Sequence, residues 1–400
     1  MKHAPTPLRW LPVMIYVLPA IADMVASQLF FINAVRLAKM GASASVVANT
    51  ITTWSIVYLI TCPVIGRVLT PANAGRMVVV SMAMLTGISL LAPFISGVLG
   101  IYCFMAIAGI ATALFFVPFQ VFMKAVDGLD NRSIAYSTGL YTFSWSLGFA
   151  CGPFVSGLLM DLGTPQRPGW IYACWFAAGA SALTGIGGYV LKRLIMNAPR
   201  PAAATLAEPA TPPVDYSGRP DLAWLGWISA GAGMLVLTFF RGIFPSLAES
   251  TLHLSQSFQG FLFFLLSLAQ ALTGLILCRS RFWMYRMSGV FALGLAGIAG
   301  SLVFGFARGG IMLGLGALLF GLYAGGFFFY MVFHALAHSR NSGRYVAINE
   351  MVIGLSSLAG ALVGGWIADH FGFGVLYSLG AALIAVTLAV QGIALRRIRG

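Results

Sequence analysis

Of the 10 acidic residues in this 400-residue chain, two stand inside long apolar stretches: Asp23 and Glu350. Asp23 falls near the middle of the apolar run 10–34. A carboxylate at the centre of a membrane-spanning helix costs about 2.5–3.5 kcal/mol on insertion scales. Its presence there points to proton carriage or to capture of a cationic group; a structural hydrogen-bonding role is the alternative. Apolar surroundings penalise the charged form, which is the property a proton carrier uses. Tyr16, Ala20, Asp23, Ser27 and Phe30 lie on one helical stripe, so Ser27 adds a hydroxyl one turn away. No basic residue stands at matching depth. Arg241 falls near the outer end of its own run, which leaves Asp23 without a buried counter-charge. Glu350, beside Asn349, lies about one and a half turns into the run 345–368. It reads equally as a second protonatable site or gate, or as an end-of-helix acid paired with Arg344 or Arg340.

Candidate solute contacts are Trp54, Tyr58, Tyr141, Trp145, Tyr330, Ser27 and Asn349, with Gln28, Asn33 and Gln120 behind them. Each competes with a plainer role in interface anchoring or packing. Other chemistries lack a sequence basis. The five cysteines (Cys62, Cys103, Cys151, Cys174, Cys278) have no metal-ligand spacing and read as free thiols. There is no HExxH, P-loop, GxSxG or CxxC pattern. No catalytic group, metal or cofactor is expected.

The elements that must position these residues follow from composition. The chain is 59% hydrophobic and 8% charged, with a mean hydropathy of +0.91. So little charge cannot clothe a soluble protein of this size. Apolar runs occur at 10–34, 45–66, 77–95, 101–123, 135–160, 169–191, 222–243, 257–278, 287–306, 311–333, 345–368 and 375–395. Each approaches the roughly 20 residues that a spanning helix needs. The expected fold is therefore all-α and polytopic, with twelve transmembrane helices. The first run is too long for a signal-peptide core and reads as a retained helix. Residues 195–221 carry six prolines and read as an extended linker between halves at 1–194 and 222–400.

With both termini placed in the cytoplasm, 18 of the 23 basic residues fall on the cytoplasmic side. The other five are Arg36, Lys39, Arg167, Arg241 and Arg308. That bias obeys the positive-inside rule, reads the +13 charge as membrane anchoring rather than nucleic-acid binding, and supports the count of twelve. A shift of 212 residues aligns Ser43 with Ser255, Arg67 with Arg279, Arg132 with Arg344 and Gly148 with Gly360. Helices and basic loops superpose in order under that shift, which predicts two pseudo-symmetric six-helix bundles.

Local motifs add a family resemblance. The fifth run reads Gly148-Phe-Ala-Cys-Gly152-Pro153-Phe-Val-Ser156-Gly157. Small residues at this spacing let a neighbouring helix approach closely, and Pro153 permits a bend; generic small-residue packing is the alternative. The eleventh run carries Gly360-Ala-Leu-Val-Gly364-Gly365, and the two runs end alike, in Gly157-Leu-Leu-Met-Asp161 and Gly365-Trp-Ile-Ala-Asp369, at a shift of 208. After the second run comes Gly66-Arg67-Val-Leu-Thr70-Pro-Ala-Asn-Ala-Gly75-Arg76. With twelve helices and a central linker, this resembles the major facilitator superfamily. The fifth-run motif is similar to that of its antiporter branch. Thr70 replaces the acid that the family's loop motif carries, and Met105-Ala-Ile-Ala-Gly109 lacks the arginine of drug–proton antiporters.

The resemblance implies a secondary active transporter working by alternating access. Proton-coupled efflux of a small organic solute is the favoured direction, through the fifth-run motif alone. Proton-coupled uptake is the alternative, and a non-transporting membrane sensor or scaffold the second. An embedded enzyme would need paired catalytic groups at one depth, where Asp23 and Glu350 are predicted at different ones. Expected partners are a small-molecule substrate, protons and lipid, with no nucleic acid. The unit is expected to be a monomer in a bacterial cytoplasmic membrane.

Overall fold

The computed structural model describes residues 11–127, 134–197, 221–279, 283, 286–337 and 342–399. The six-proline stretch of the expected linker lies outside the described residues. The first six helices are α1 (Leu11–Lys39), α2 (Ala44–Val68), α3 (Pro71–Leu91), α4 (Gly97–Asp127), α5 (Ile134–Asp161) and α6 (Trp170–Asn197). The next, α7, runs from Ala223 to Ser250 with a π turn at Phe239–Ile243. Then come α8 (Gln256–Arg279), α9 (Met287–Phe306), α10 (Gly310–Ala337), α11 (Ser342–Phe371) and α12 (Phe373–Arg399). All twelve are long and apolar enough to cross a bilayer. Exposed aliphatic side chains such as Ile60, Leu183, Ile186, Ile311 and Val386 give the bundle its lipid-facing coat.

Two expected boundaries differ. The first helix ends at Lys39, five residues beyond the predicted end. Arg36 is accommodated because its guanidinium donates to the Ile95 carbonyl (2.7 Å) and lies 3.8 Å over the Trp170 ring. The seventh continues past Ile243 to Ser250. Pro245 looks like a stop signal, since it lacks an N–H for the Arg241 carbonyl four residues back. The helix widens instead: the Phe244 N–H bonds to the Phe239 carbonyl, and Pro245 falls in the first turn of the resumed α-helix.

Within each half, glycines set the packing. Gly148 and Gly152 of α5 meet the Ala20 and Met24 carbonyls of α1 with no room for a Cβ. Gly360 and Gly364 of α11 meet Leu235 and the Phe239 ring of α7 in the equivalent way. The halves join mainly through α5 against α8 and α2 against α11. At the end opposite the described termini, the tails with the 208-residue relation form a matched pair of clasps. Asp161 accepts from the Gln256 and Ser257 N–H groups (3.2 and 2.9 Å), and Asp369 from those of Ala44 and Ser45 (2.7 and 3.0 Å). Each carboxylate caps the first turn of a helix in the other half, where orphan N–H groups and the helix dipole favour it. Gly157 and Gly365 let the backbones close in beside them. Among the described residues α1 packs against α7 mainly from the π turn onward, and α4 and α10 have no extensive contact. The clasps and these helix contacts hold the two halves together at this end.

Replacing both Asp161 and Asp369 with Ala removes two caps at about 1 kcal/mol each, so the ratio of joined to parted halves at this end falls roughly thirtyfold. Spin labels on Met40→Cys and Thr251→Cys, in a background freed of native cysteines, would report a new long-distance population. An unchanged distance distribution would show that the clasps do not hold the halves together.

Candidate functional site

The sequence-predicted acids come together around the bundle interior. Asp23 lies on α1 with 7% of its surface accessible, and its nearest opposite charge is Arg241. This corrects the expectation that Asp23 lacks a buried counter-charge and that Arg241 sits near the outer end of its helix. Arg241 is in the π turn, nine residues before the helix ends at Ser250. Removing it from the five outer basic residues leaves four, which sharpens the positive-inside bias. The internal repeat held this signal: Arg241 minus 212 is Leu29, inside the first helix.

Arg241 is held by two neighbouring helices. Its guanidinium lies 3.8 Å over the Phe149 ring of α5, and its Nη2 donates to Gln270 Oε1 of α8 at 3.3 Å. Gln270 in turn donates to Ser146 Oγ at 2.9 Å. Asp23 approaches from α1, within electrostatic reach but without an ion-pair contact. Arg241 keeps some accessible surface despite this enclosure.

Glu350 faces the N-terminal half. Its carboxyl is within hydrogen-bonding reach of Gln120, which also reaches the Tyr141 hydroxyl. Tyr141 lies within electrostatic reach of both Asp23 and Glu350, and Tyr58 within that of Glu350. The alternative partner Arg340 lies outside the described residues, as does the side chain of Arg344.

The aromatic candidates divide. Trp54 stacks on Tyr58 (4.7 Å) and donates from Nε1 to Thr112 Oγ1 (2.9 Å). Tyr141 stacks on Phe119, and Trp145 meets Phe328 of α10 edge-on at 5.3 Å, across the two halves. Three others sit apart. Tyr330 belongs to a separate cluster with Trp283, Leu277 and Phe329. Asn349 accepts from Trp227 Nε1 (2.7 Å), inside the C-terminal half. Ser27 donates to the Met24 carbonyl (3.0 Å) at the α1–α5 contact. Gln28 is fully buried with neither amide atom partnered.

In the loop motif, Gly66 and Arg67 are exposed in the last turns of α2, and Gly75 and Arg76 lie early in α3. Thr70, standing where the family has an acid, caps α3: its N–H donates to Asn73 Oδ1 (2.8 Å) and its Oγ1 accepts from the Asn73 N–H (3.3 Å).

Twelve spanning helices in two related halves, with charged groups from both halves facing the interior, define a polytopic transport protein. The chain belongs to the major facilitator superfamily, whose sequence profile matches residues 15–340. Solved structures are similar in fold. The nucleoside transporter NupG has 14% identity and a TM-score of 0.67, over 96% of this chain and 98% of that one. A bacterial homologue of the human lysosomal transporter Spinster, inward-facing and occupied, has 13% identity and a TM-score of 0.67, over 98% and 96%. The human organic anion transporter MFSD10 has 15% identity and a TM-score of 0.59, over 96% and 99%. No curated protein matches the chain.

Val at Gly148 or Gly152 would drive side-chain atoms into the α1 backbone, and thermal unfolding in detergent should show loss of the folded state. Ala at Gly66, where a Cβ meets open space, should leave the midpoint unchanged or raise it. Equal effects at both places would refute the packing role.

Proposed function

We propose that this protein is a proton-coupled secondary transporter of a small organic solute, working by alternating access, with Asp23 as the coupling acid. The observation that carries this is a carboxylate buried mid-helix, near an arginine of the opposite half and out of ion-pair contact with it. Such an acid can change charge when the halves move, because the separation from Arg241 sets the cost of ionisation. Glu350 is a second protonatable group, and Tyr141 lies within electrostatic reach of both acids. Alternating access then means breaking the Asp161 and Asp369 clasps and closing the opposite end. The working unit is a monomer in a bacterial cytoplasmic membrane, with both termini and the 195–221 linker in the cytoplasm.

Efflux by proton antiport is the direction that the α5 glycines favour by resemblance. Uptake by symport is the second reading, favoured by Arg241: once Asp23 is protonated, the guanidinium is left as a free positive charge for a solute. Proton release on solute binding would mark antiport, and proton uptake symport.

Infrared difference spectra of purified protein test the coupling acid without a solute. A protonated-carboxyl band that titrates reversibly in wild type and is missing from Asp23→Asn is expected. A band that persists in Asp23→Asn and disappears in Glu350→Gln would transfer the coupling role to Glu350.

A further inference from the structure

Resting on that reading of Asp23, we infer that Arg241 is the anchor of a solute-binding site for a small planar organic anion, an aromatic carboxylate being the simplest form. The guanidinium is held, but its hydrogen-bonding capacity is far from used. One face lies on Phe149, Nη2 donates to Gln270, and Nε has no partner. No carboxylate among the described residues is in ion-pair contact with it. A guanidinium offers five N–H donors in a planar fork that matches a carboxylate edge. An unpaired charge in a membrane interior is costly, and such residues mark solute or ion pathways.

The surroundings select for charge and shape. Asp23 is the carboxylate nearest to Arg241 and does not neutralise it by contact. A cationic solute approaching Asp23 would meet the field of Arg241, whereas an anion would be drawn to it. The one ring shown against the guanidinium is Phe149, so the anchor already has an aromatic neighbour beside which a flat apolar body can lie.

The same geometry fixes the sign of coupling. The titratable groups facing Asp23 among the described residues are Arg241 from α7 and Tyr141 from α5; Asp23 alone faces Arg241. An ionised Asp23 competes with the solute for the field of Arg241, and a protonated one does not. Proton and anion therefore bind cooperatively, which selects the symport reading over the antiport one.

The test compares benzoate, benzamide and benzylammonium as probes of the purified full-length protein. Binding is followed by tryptophan fluorescence in mildly acidic and mildly alkaline buffer. Benzoate should bind, more tightly in acid, and the two isosteres should not. Arg241→Gln should weaken benzoate by more than about tenfold, Arg241→Lys should retain part of the affinity, and Asp23→Asn should bind benzoate without pH dependence. Absence of benzoate binding, benzylammonium binding in its place, or full affinity in Arg241→Gln would overturn the anion site while leaving the infrared result for Asp23 untouched. Benzoate binding that needs Arg241 but ignores both pH and Asp23→Asn would uphold the anion site and remove Asp23 from coupling.

Discussion

Two opposite charges held apart inside an apolar bundle are the constraint on which the interior of this protein depends. Asp23 belongs to the N-terminal half and Arg241 to the C-terminal half. Neither can be stranded in hydrocarbon without penalty, yet they do not touch. The rest of the interior accommodates that arrangement. The π turn brings Arg241 inward, Phe149 and Gln270 hold it, and Gly148 and Gly152 let α1 come close enough to present Asp23. Because the two charges ride on different halves, any rocking motion changes their separation and hence the cost of leaving Asp23 ionised.

The far end of the bundle works on a different principle. Asp161 and Asp369 bind backbone N–H groups rather than cationic side chains, and do so by a pseudo-twofold relation. Ala44 and Ser45 map onto Gln256 and Ser257 at 212 residues, while the two acids map onto each other at 208. Both halves therefore contribute one acid and one helix start to the pair of clasps. At this exposed end each cap contributes only about 1 kcal/mol. Such weak paired contacts suit a junction that must open during transport.

Most of the fold was legible because lipid imposes a simple rule: spanning segments are long, apolar and bounded by charge. Asp23 was legible for the same reason, as an exception to the rule. Arg241 was misread because Pro245 looks like a helix end, and propensity carries no information on whether a helix widens around a proline. The clasps showed in sequence only as matched tails, since their partners are backbone groups about 95 and 325 residues away. Tyr330, Asn349 and Ser27 were plausible by type, but their orientation depends on packing that no local pattern encodes.

The most direct measurement is a double-mutant cycle on thermal unfolding of the purified protein, using Asp23→Asn, Arg241→Gln and the pair together. If the two charges compensate each other across the halves, Arg241→Gln alone should lower the midpoint clearly, and adding Asp23→Asn should restore much of the loss. Strictly additive midpoint shifts would mean that the two residues do not interact, and would contradict the account.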